Sequence, residues 1–180
     1  MDLAKMEAQK WARKMLEMPI DNVLILNTET CGLNAEVIEL AIINTSGAPL
    51  YNRRFKPMTA IHPGAFAVHG ISLKMLEHEL DFCDECEELR TILEPAKMVL
   101  IYNAAFDARC LLETCRLHEQ APLVFKSACI MNWYAIWYGE KNRSGYRMQR
   151  LTGGDHSAVS DCRAALEFLR RMAAVEEVSK

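Results

Sequence analysis

Long apolar runs and an excess of basic residues are both lacking from this sequence of 180 residues. No segment approaches the run of about 20 apolar residues that a membrane-spanning helix needs, so no membrane span and no membrane partner are predicted. The formal net charge is −3, from 21 basic and 24 acidic side chains. That balance argues against a protein that coats nucleic acid by bulk electrostatics. It is compatible with an enzyme that binds one end of a nucleic acid chain through bound cations.

A second pair of metal-binding cysteines is lacking as well. The seven cysteines are an odd number, and they are scattered through predicted helices and strands. Cys83 and Cys86 form a CxxC motif, but no further ligand pair follows at the spacing of a zinc site. Because the first residues do not have the pattern of an export signal, this usage predicts reduced thiols and a cytoplasmic location.

Linkers, internal repeats and low-complexity tracts are also missing, so the chain is interpreted as one domain, residues 21–180, preceded by a helix. In residues 1–20, apolar side chains recur near helical spacing at Leu3, Met6, Trp11, Met15 and Leu16. This spacing predicts an amphipathic helix that packs on the domain.

The apolar residues, which are 51% of the chain, follow a pattern that predicts an α/β domain. Three strands at 23–29, 36–44 and 50–56 are joined by short turns, which favours antiparallel pairing. Two further strands are predicted at 98–103 and 124–130, and helices at 131–138, 146–151 and 157–175, with a polar loop at 141–145. The expected architecture is a mixed central sheet of about five strands, three antiparallel and two further parallel, flanked by helices.

The chain is organised around the stretch from Val23 to Leu33, where four apolar residues run into a polar, acidic end and then a glycine. Side chains two apart on a strand point the same way, so Asn27 and Glu29 are expected on one face at the strand end. Polar groups buried at a strand end need a partner, and a metal ion is one such partner.

Two further acids stand near the ends of predicted elements. Asp107 lies in the first turn after the strand at 98–103, and Asp161 lies near the start of the last helix, five residues after His156. For either acid alone, the helix dipole is a sufficient explanation, because carboxylates are stabilised near helix N-termini. Their recurrence together with Glu29, each within a distinctive local sequence, favours a common site.

Four motifs carry these acids, and in this order they resemble those of the DEDDh family of 3′→5′ exonucleases. This family includes the proofreading subunit of bacterial replicative polymerase, ribonuclease T and oligoribonuclease. The motifs are Thr28–Leu33, His69–Ile71, Tyr102–Asp107 and His156–Asp161, and the match covers about residues 22–173. The resemblance implies a ribonuclease H-like fold and an exonuclease domain that releases nucleoside 5′-monophosphates from nucleic acid 3′ ends.

The resemblance also implies roles for individual residues. Two Mg²⁺ or Mn²⁺ ions would be bound at Asn27, Glu29, Asp107 and Asp161, and His156 would act as the general base. Nucleotide-binding positions are implied at Thr28, Thr30, Cys31, Gly32, Leu33, His69, Asn103 and Phe106. At Cys31 and Tyr102 the chain departs from the threonine and histidine that are common in the family.

Asn27 stands where the family has the aspartate of its Asp-x-Glu motif. Its amide oxygen can ligate a divalent ion, but it is neutral and holds the ion less well. The chain as written is therefore expected to be inactive or weak. Two explanations stay open. One is an engineered or recent change in an ordinary exonuclease, which the retention of the other motif residues favours. The other is a natural variant that binds a 3′ end or nucleotide without cutting it.

The expected partner is a nucleic acid 3′ end, with single-stranded DNA favoured over RNA, although the motifs themselves do not separate the two. The expected product is a nucleoside monophosphate. Relatives in the family act as monomers or as homodimers, so either state is compatible with the sequence.

Overall fold

A computed structural model describes residues 2–174, so Met1 and the predicted helix end at Val175 lie outside the described residues. The central sheet contains β1 (Val23–Thr30), β2 (Val37–Asn44), β3 (Pro49–Arg54), β4 (Met98–Ile101) and β5 (Ser127–Cys129). Its strand order is β3-β2-β1-β4-β5, with antiparallel pairs among β1, β2 and β3 and parallel pairs among β1, β4 and β5. The predicted mixed sheet of five strands is confirmed.

Seven helices accompany the sheet within residues 2–174. They are α1 (Leu3–Glu17), α2 (Pro63–His69), α3 (Leu73–Leu76), α4 (Phe82–Leu93), α5 (Ala104–Leu117), α6 (Ile130–Tyr138) and α7 (Ala158–Ala173). One face of the sheet packs against α1, α6 and α7, and the other against α4 and α5. None of these helices combines the length and the apolar composition that crossing a membrane requires.

The first helix packs on the domain through a face of small and large side chains, and Trp11, Met15 and Leu16 of the predicted face are part of it. Ala8, Ala12 and Met15 are buried, and α1 contacts both α6 and α7. Leu3 and Met6 were expected on the packed face, but they are 70% and 48% exposed. Ala8 and Ala12 explain the difference, because small side chains let α1 approach α6 and α7 closely. The face of α1 that carries these alanines is not the face that carries Leu3 and Met6.

Strands β1 and β2 are buried on both faces, which the continuous apolar run predicted for β1 and the partly alternating sequence of β2 did not. Along β1, Val23 and Ile25 belong to the core on the α7 side, whereas Leu24 and Leu26 belong to the core on the α4 and α5 side. This alternation decides where the polar residues that follow are directed.

Two local predictions between α6 and α7 are wrong. The polar loop at 141–145 contains a small hairpin of β6 (Lys141–Asn142) and β7 (Gly145–Tyr146), and the helix at 146–151 does not form. The Arg147 N–H donates to the Glu140 carbonyl at 2.8 Å, and the Tyr102 hydroxyl donates to the Gln149 carbonyl at 2.9 Å. These contacts tie residues 147–149 to Glu140 and Tyr102 along a path that is not helical.

Candidate active site

The C-terminal end of β1 directs polar side chains to both faces of the sheet. Continuing the alternation of the strand, Asn27 and Glu29 point to the α7 side and Thr28 points to the α5 side. Glu29 and Thr28 are buried, and Asn27 is partly exposed. The strand therefore places one carboxylate and one amide beside α7.

Asp107 is brought to this strand end by α5, which begins directly after β4. Its side chain is only 3% exposed. Oδ1 accepts hydrogen bonds from the Thr28 backbone N–H at 3.1 Å and from the Thr28 hydroxyl at 2.8 Å. Burial nevertheless raises the pKa of Asp107 to about 6, since two hydrogen bonds compensate only part of the lost hydration.

Asp161 and His156 approach from the opposite side, at the start of α7. The His156 backbone N–H donates to Asp161 Oδ1 at 3.3 Å, and His156 Nδ1 lies 4.0 Å from Asp161 Oδ2. The His156 side chain is 58% exposed, and its backbone has a φ of +62°. A Cβ added at Gly154 would overlap Asp161 Oδ1, so only glycine allows the loop to pass this close to the carboxylate.

Sequence reasoning missed a fourth acid at this site. Glu39 lies in β2, directly opposite Glu29, and is 5% exposed. Its two oxygens accept hydrogen bonds from Arg54 Nε at 2.8 Å and from the Ala158 N–H at 2.7 Å. The available signal was an acid in the middle of a strand that is otherwise apolar and buried on both faces.

Burial is the largest cause of the raised pKa values at this site, and repulsion among the acids adds to it at Glu29. The pKa of Glu29 is raised to about 8, first by burial and then by the charges of Asp161, Glu39 and Asp107. A hydrogen bond with the Asn27 side chain lowers it in part. Burial also raises the pKa of Asp161.

A divalent cation would relieve the repulsion among these acids, and hard carboxylate oxygens are the ligands that Mg²⁺ and Mn²⁺ prefer. The donor atoms of these acids are therefore of the type that suits such an ion. In this structure the carboxylate oxygens of Glu29, Asp107 and Asp161 do not all lie within 4.8 Å of one another, and within residues 2–174 only Asp81, Cys83 and Asp84 form a group that close.

A cavity of about 480 Å³ adjoins the acids, and Glu29 is part of its wall. Six of the predicted nucleotide-binding residues line it: Thr28, Thr30, Gly32, Leu33, His69 and Phe106. The structure does not bring the other two into it. Cys31 is 2% exposed and its Sγ lies 3.8 Å from the Thr59 carbonyl, while Asn103 is exposed at the start of α5.

To the wall of the cavity, helix α2 contributes His69, which the motifs predicted, and further lining residues that the sequence did not indicate. His62, Ala65 and Val68 line it, and His62 also caps α2 by accepting the Gly64 N–H at Nδ1. His69 Nδ1 accepts from the Ile71 N–H at 3.0 Å, so Nε2 carries the proton and donates to the Thr30 carbonyl at 3.2 Å. The His69 ring thereby ties the end of α2 to the end of β1.

Comparison of the sequence with known proteins points to the family that the four motifs resemble. The model of a family described as exonuclease, RNase_T, matches residues 24–169. The uncharacterized exonuclease CP81 of Escherichia phage 186 is 31% identical in an alignment that covers 90% of this chain and 92% of CP81. The DNA polymerase III subunit epsilon of Escherichia coli (strain K12) is 31% identical in an alignment that covers 49% of this chain but only 41% of that subunit.

Comparison with solved structures concerns the fold. The nuclease domain of 3′hExo, described as a DEDDh family member bound to rAMP, matches with a TM-score of 0.65 and 18% identity. The match covers 86% of this chain and 92% of that domain. The fold of most of this chain is therefore shared with that nuclease domain.

Proposed function

The chain belongs to the exonuclease family, as its four motifs predicted, and from this premise we propose that it is a metal-dependent 3′→5′ exonuclease impaired at Asn27. One observation carries the proposal. Glu29, at the end of β1, lines a cavity of about 480 Å³, a volume suited to a small ligand such as a nucleotide, and the charges of Asp161 in α7 and Asp107 in α5 act on its carboxyl.

The proposed chemistry is hydrolysis of the terminal phosphodiester. Two Mg²⁺ or Mn²⁺ ions, when bound, supply charge that stabilises the attacking and the leaving oxygen. Glu29, Asp107 and Asp161 would hold them, with Asn27 contributing a neutral oxygen where the family has a carboxylate. His156, half-exposed beside Asp161, takes the proton of the attacking water through its ring. The product released from the chain end is a nucleoside 5′-monophosphate.

The cavity is proposed to hold the terminal nucleotide. Phe106 and Leu33 offer apolar surface to a base, and Leu33 is 86% exposed on the cavity rim. The relatives do not decide between nucleic acids, because one is named as a DNA polymerase subunit and another carries rAMP. We propose single-stranded DNA as the preferred substrate, with RNA tested beside it.

Restoring the missing carboxylate tests the proposal. Loss of support at a metal site costs roughly 10–100-fold in affinity or activity, and loss of a direct ligand charge should cost at least that much. Asn27→Asp is therefore expected to release labelled nucleotide from the 3′ end at least about tenfold faster than the chain as written. The assay uses 5′- and 3′-labelled single-stranded DNA and RNA, with Mg²⁺, Mn²⁺ or chelator.

A matched control and a contrary outcome make this test decisive. Asn27→Asp combined with Asp107→Asn keeps the total charge of the chain as written and should remain inactive. If Asn27→Asp releases no nucleotide with Mn²⁺, the enzyme proposal fails.

The second candidate function is a module that binds a 3′ end or nucleotide without cutting it. It is favoured by one observation, the combination of Asn27 with an intact cavity wall. Its test is binding of oligonucleotides with a 3′ hydroxyl or a 3′ phosphate to the chain as written. Tight binding that discriminates between the two ends, with no hydrolysis by Asn27→Asp, would support it over the enzyme.

A further inference from the structure

Glu39 is a buried carboxylate inside the acid cluster, and the proposed reaction does not use it. It faces Glu29 on β1 and Arg54 on β3 in one row across three strands. Like charges directly opposite each other in an antiparallel pair destabilise a sheet. Arg54 compensates on one side only, through its Nε–H to Glu39 Oε1 at 2.8 Å. A glutamate at position 39 therefore lowers the stability of the sheet, and a further contact made by Glu39 would offset this loss.

That further contact is the N-terminus of α7. The first N–H groups of a helix have no partner within the helix, and the side chain of the N-cap residue usually accepts one of them. In α7 the N-cap residue Ser157 makes no such bond, because its hydroxyl donates to Asp155 Oδ1 at 2.7 Å. Instead Glu39 Oε2 accepts the Ala158 N–H at 2.7 Å from 119 residues away in the sequence.

The first turn of α7 carries the groups that the reaction needs. Asp161 lies three residues after Ala158, and the His156 N–H is bonded to Asp161 Oδ1. A displacement of this turn relative to β2 would move Asp161 and His156 together, away from Glu29 on the neighbouring strand. Hydrogen bonds to carboxylate acceptors are among the stronger ones in proteins, so this contact can hold the turn in one place.

We propose that Glu39 is a positioning residue of the exonuclease site: by bridging Arg54 and the N-terminus of α7, it fixes Asp161 and His156 relative to Glu29. This proposal rests on the proposed function.

The positioning role of Glu39 also predicts which kinetic constant changes. The described residues that line the nucleotide cavity come from β1, α2, α5 and nearby loops, and none comes from α7. Loss of Glu39 should therefore reduce kcat and metal affinity and leave KM nearly unchanged.

The test compares Glu39→Ala and Glu39→Gln in the Asn27→Asp chain. Glu39→Ala is expected to lower kcat and Mn²⁺ affinity roughly 10–100-fold, as loss of a supporting contact does, with KM within about twofold. Glu39→Gln keeps an oxygen that can accept the Ala158 N–H, so it should recover most of kcat. Nucleotide release gives the kinetic constants, and titration calorimetry gives Mn²⁺ affinity.

Glu85→Ala is the matched control for a purely structural effect. Glu85 is a buried glutamate, 7% exposed, that accepts the Tyr51 hydroxyl at 2.9 Å on the other face of the sheet. Its removal should lower the unfolding temperature while kcat and Mn²⁺ affinity stay at the parent values. If Glu39→Ala does not fold, Arg54→Met replaces it, since Arg54 is 35% exposed and lies on an edge strand. Arg54→Met should lower kcat at constant KM.

The two proposals fail in different ways. An inactive Asn27→Asp chain would refute the exonuclease, and calorimetric Mn²⁺ affinity would still report on Glu39. A Glu39→Ala chain with the kcat and Mn²⁺ affinity of its parent would overturn the positioning role. The positioning role would also be overturned if Glu39→Ala lowered kcat and raised KM by similar factors and Glu85→Ala had the same effect.

Discussion

The metal-free protein should become less stable as the pH rises from about 5 to 8, opposite to the usual behaviour of proteins with paired carboxylates. The pKa of Glu29 is raised from its usual value of 4.5 to about 8 by burial among other acids, and that of Asp107 is raised to about 6. Between pH 4.5 and 8 the folded state keeps a proton on Glu29 that the unfolded chain has released. Because the folded state binds more protons there, the free energy of unfolding falls with increasing pH.

The size of this effect follows from the same values. Each pKa unit corresponds to about 1.4 kcal/mol, so a rise from 4.5 to about 8 at Glu29 costs roughly 5 kcal/mol once the pH exceeds 8. Small domains have a total free energy of unfolding of about 5–15 kcal/mol, so the loss is a large part of the whole. A metal ion that binds only the folded state, at about 100 times its dissociation constant, should restore about 2.7 kcal/mol.

Urea unfolding followed by circular dichroism measures this free energy at pH 5, 6.5 and 8, with chelator and with Mn²⁺. Glu29→Gln is the control, because it removes the titrating group while nearly preserving its shape. In the variant the fall between pH 5 and 8 should be several kcal/mol smaller. A metal-free chain whose stability stays level or rises over this range, or a Glu29→Gln variant with the same pH dependence, would refute the reasoning.

Two further predictions concern residues around the acids, and both are measured in the Asn27→Asp chain. Gly154→Ala should lower kcat at least about tenfold, because its Cβ would overlap Asp161 Oδ1 and displace that carboxylate; a folded variant with the kcat of its parent would contradict it. Phe106→Ala should raise KM for a single-stranded oligonucleotide about fivefold or more with little change in kcat, because base stacking on an aromatic side chain is worth about 1–3 kcal/mol; a raised kcat-to-KM ratio would contradict it.

The acids that the sequence could predict are those whose placement depends on local structure. Glu29 ends a strand that is recognisable from its apolar run, and Asp107 follows the next buried strand by a few residues. Because β1 and β4 are parallel neighbours, their C-terminal ends meet at the same edge of the sheet. The apolar runs locate the two strand ends, and the resemblance of the motifs to the DEDDh family implied that the two acids share a site.

The contacts that the sequence could not predict depend on pairing register and on the path of a loop. Glu39 faces Glu29 only because β2 pairs with β1 in one particular register, and a shift by one residue would turn it to the other face. The register changes between Glu29 and Thr30, and beyond this irregularity the Cys31 side chain points away from the cavity. The close approach of Gly154 to Asp161 is likewise set by tertiary structure.

Asn27 links the stability of the metal-free chain to its expected low activity. Its side chain hydrogen-bonds Glu29 and lowers the pKa of that carboxyl, so it relieves part of the repulsion within the cluster. An aspartate at position 27 would instead add a fifth carboxylate to Glu29, Glu39, Asp107 and Asp161, and would raise the cost of folding without metal. The same added charge would strengthen the hold on a divalent ion, since carboxylates bind such ions better than amides do. One missing charge should therefore make the metal-free chain more stable and the metal-loaded chain less active.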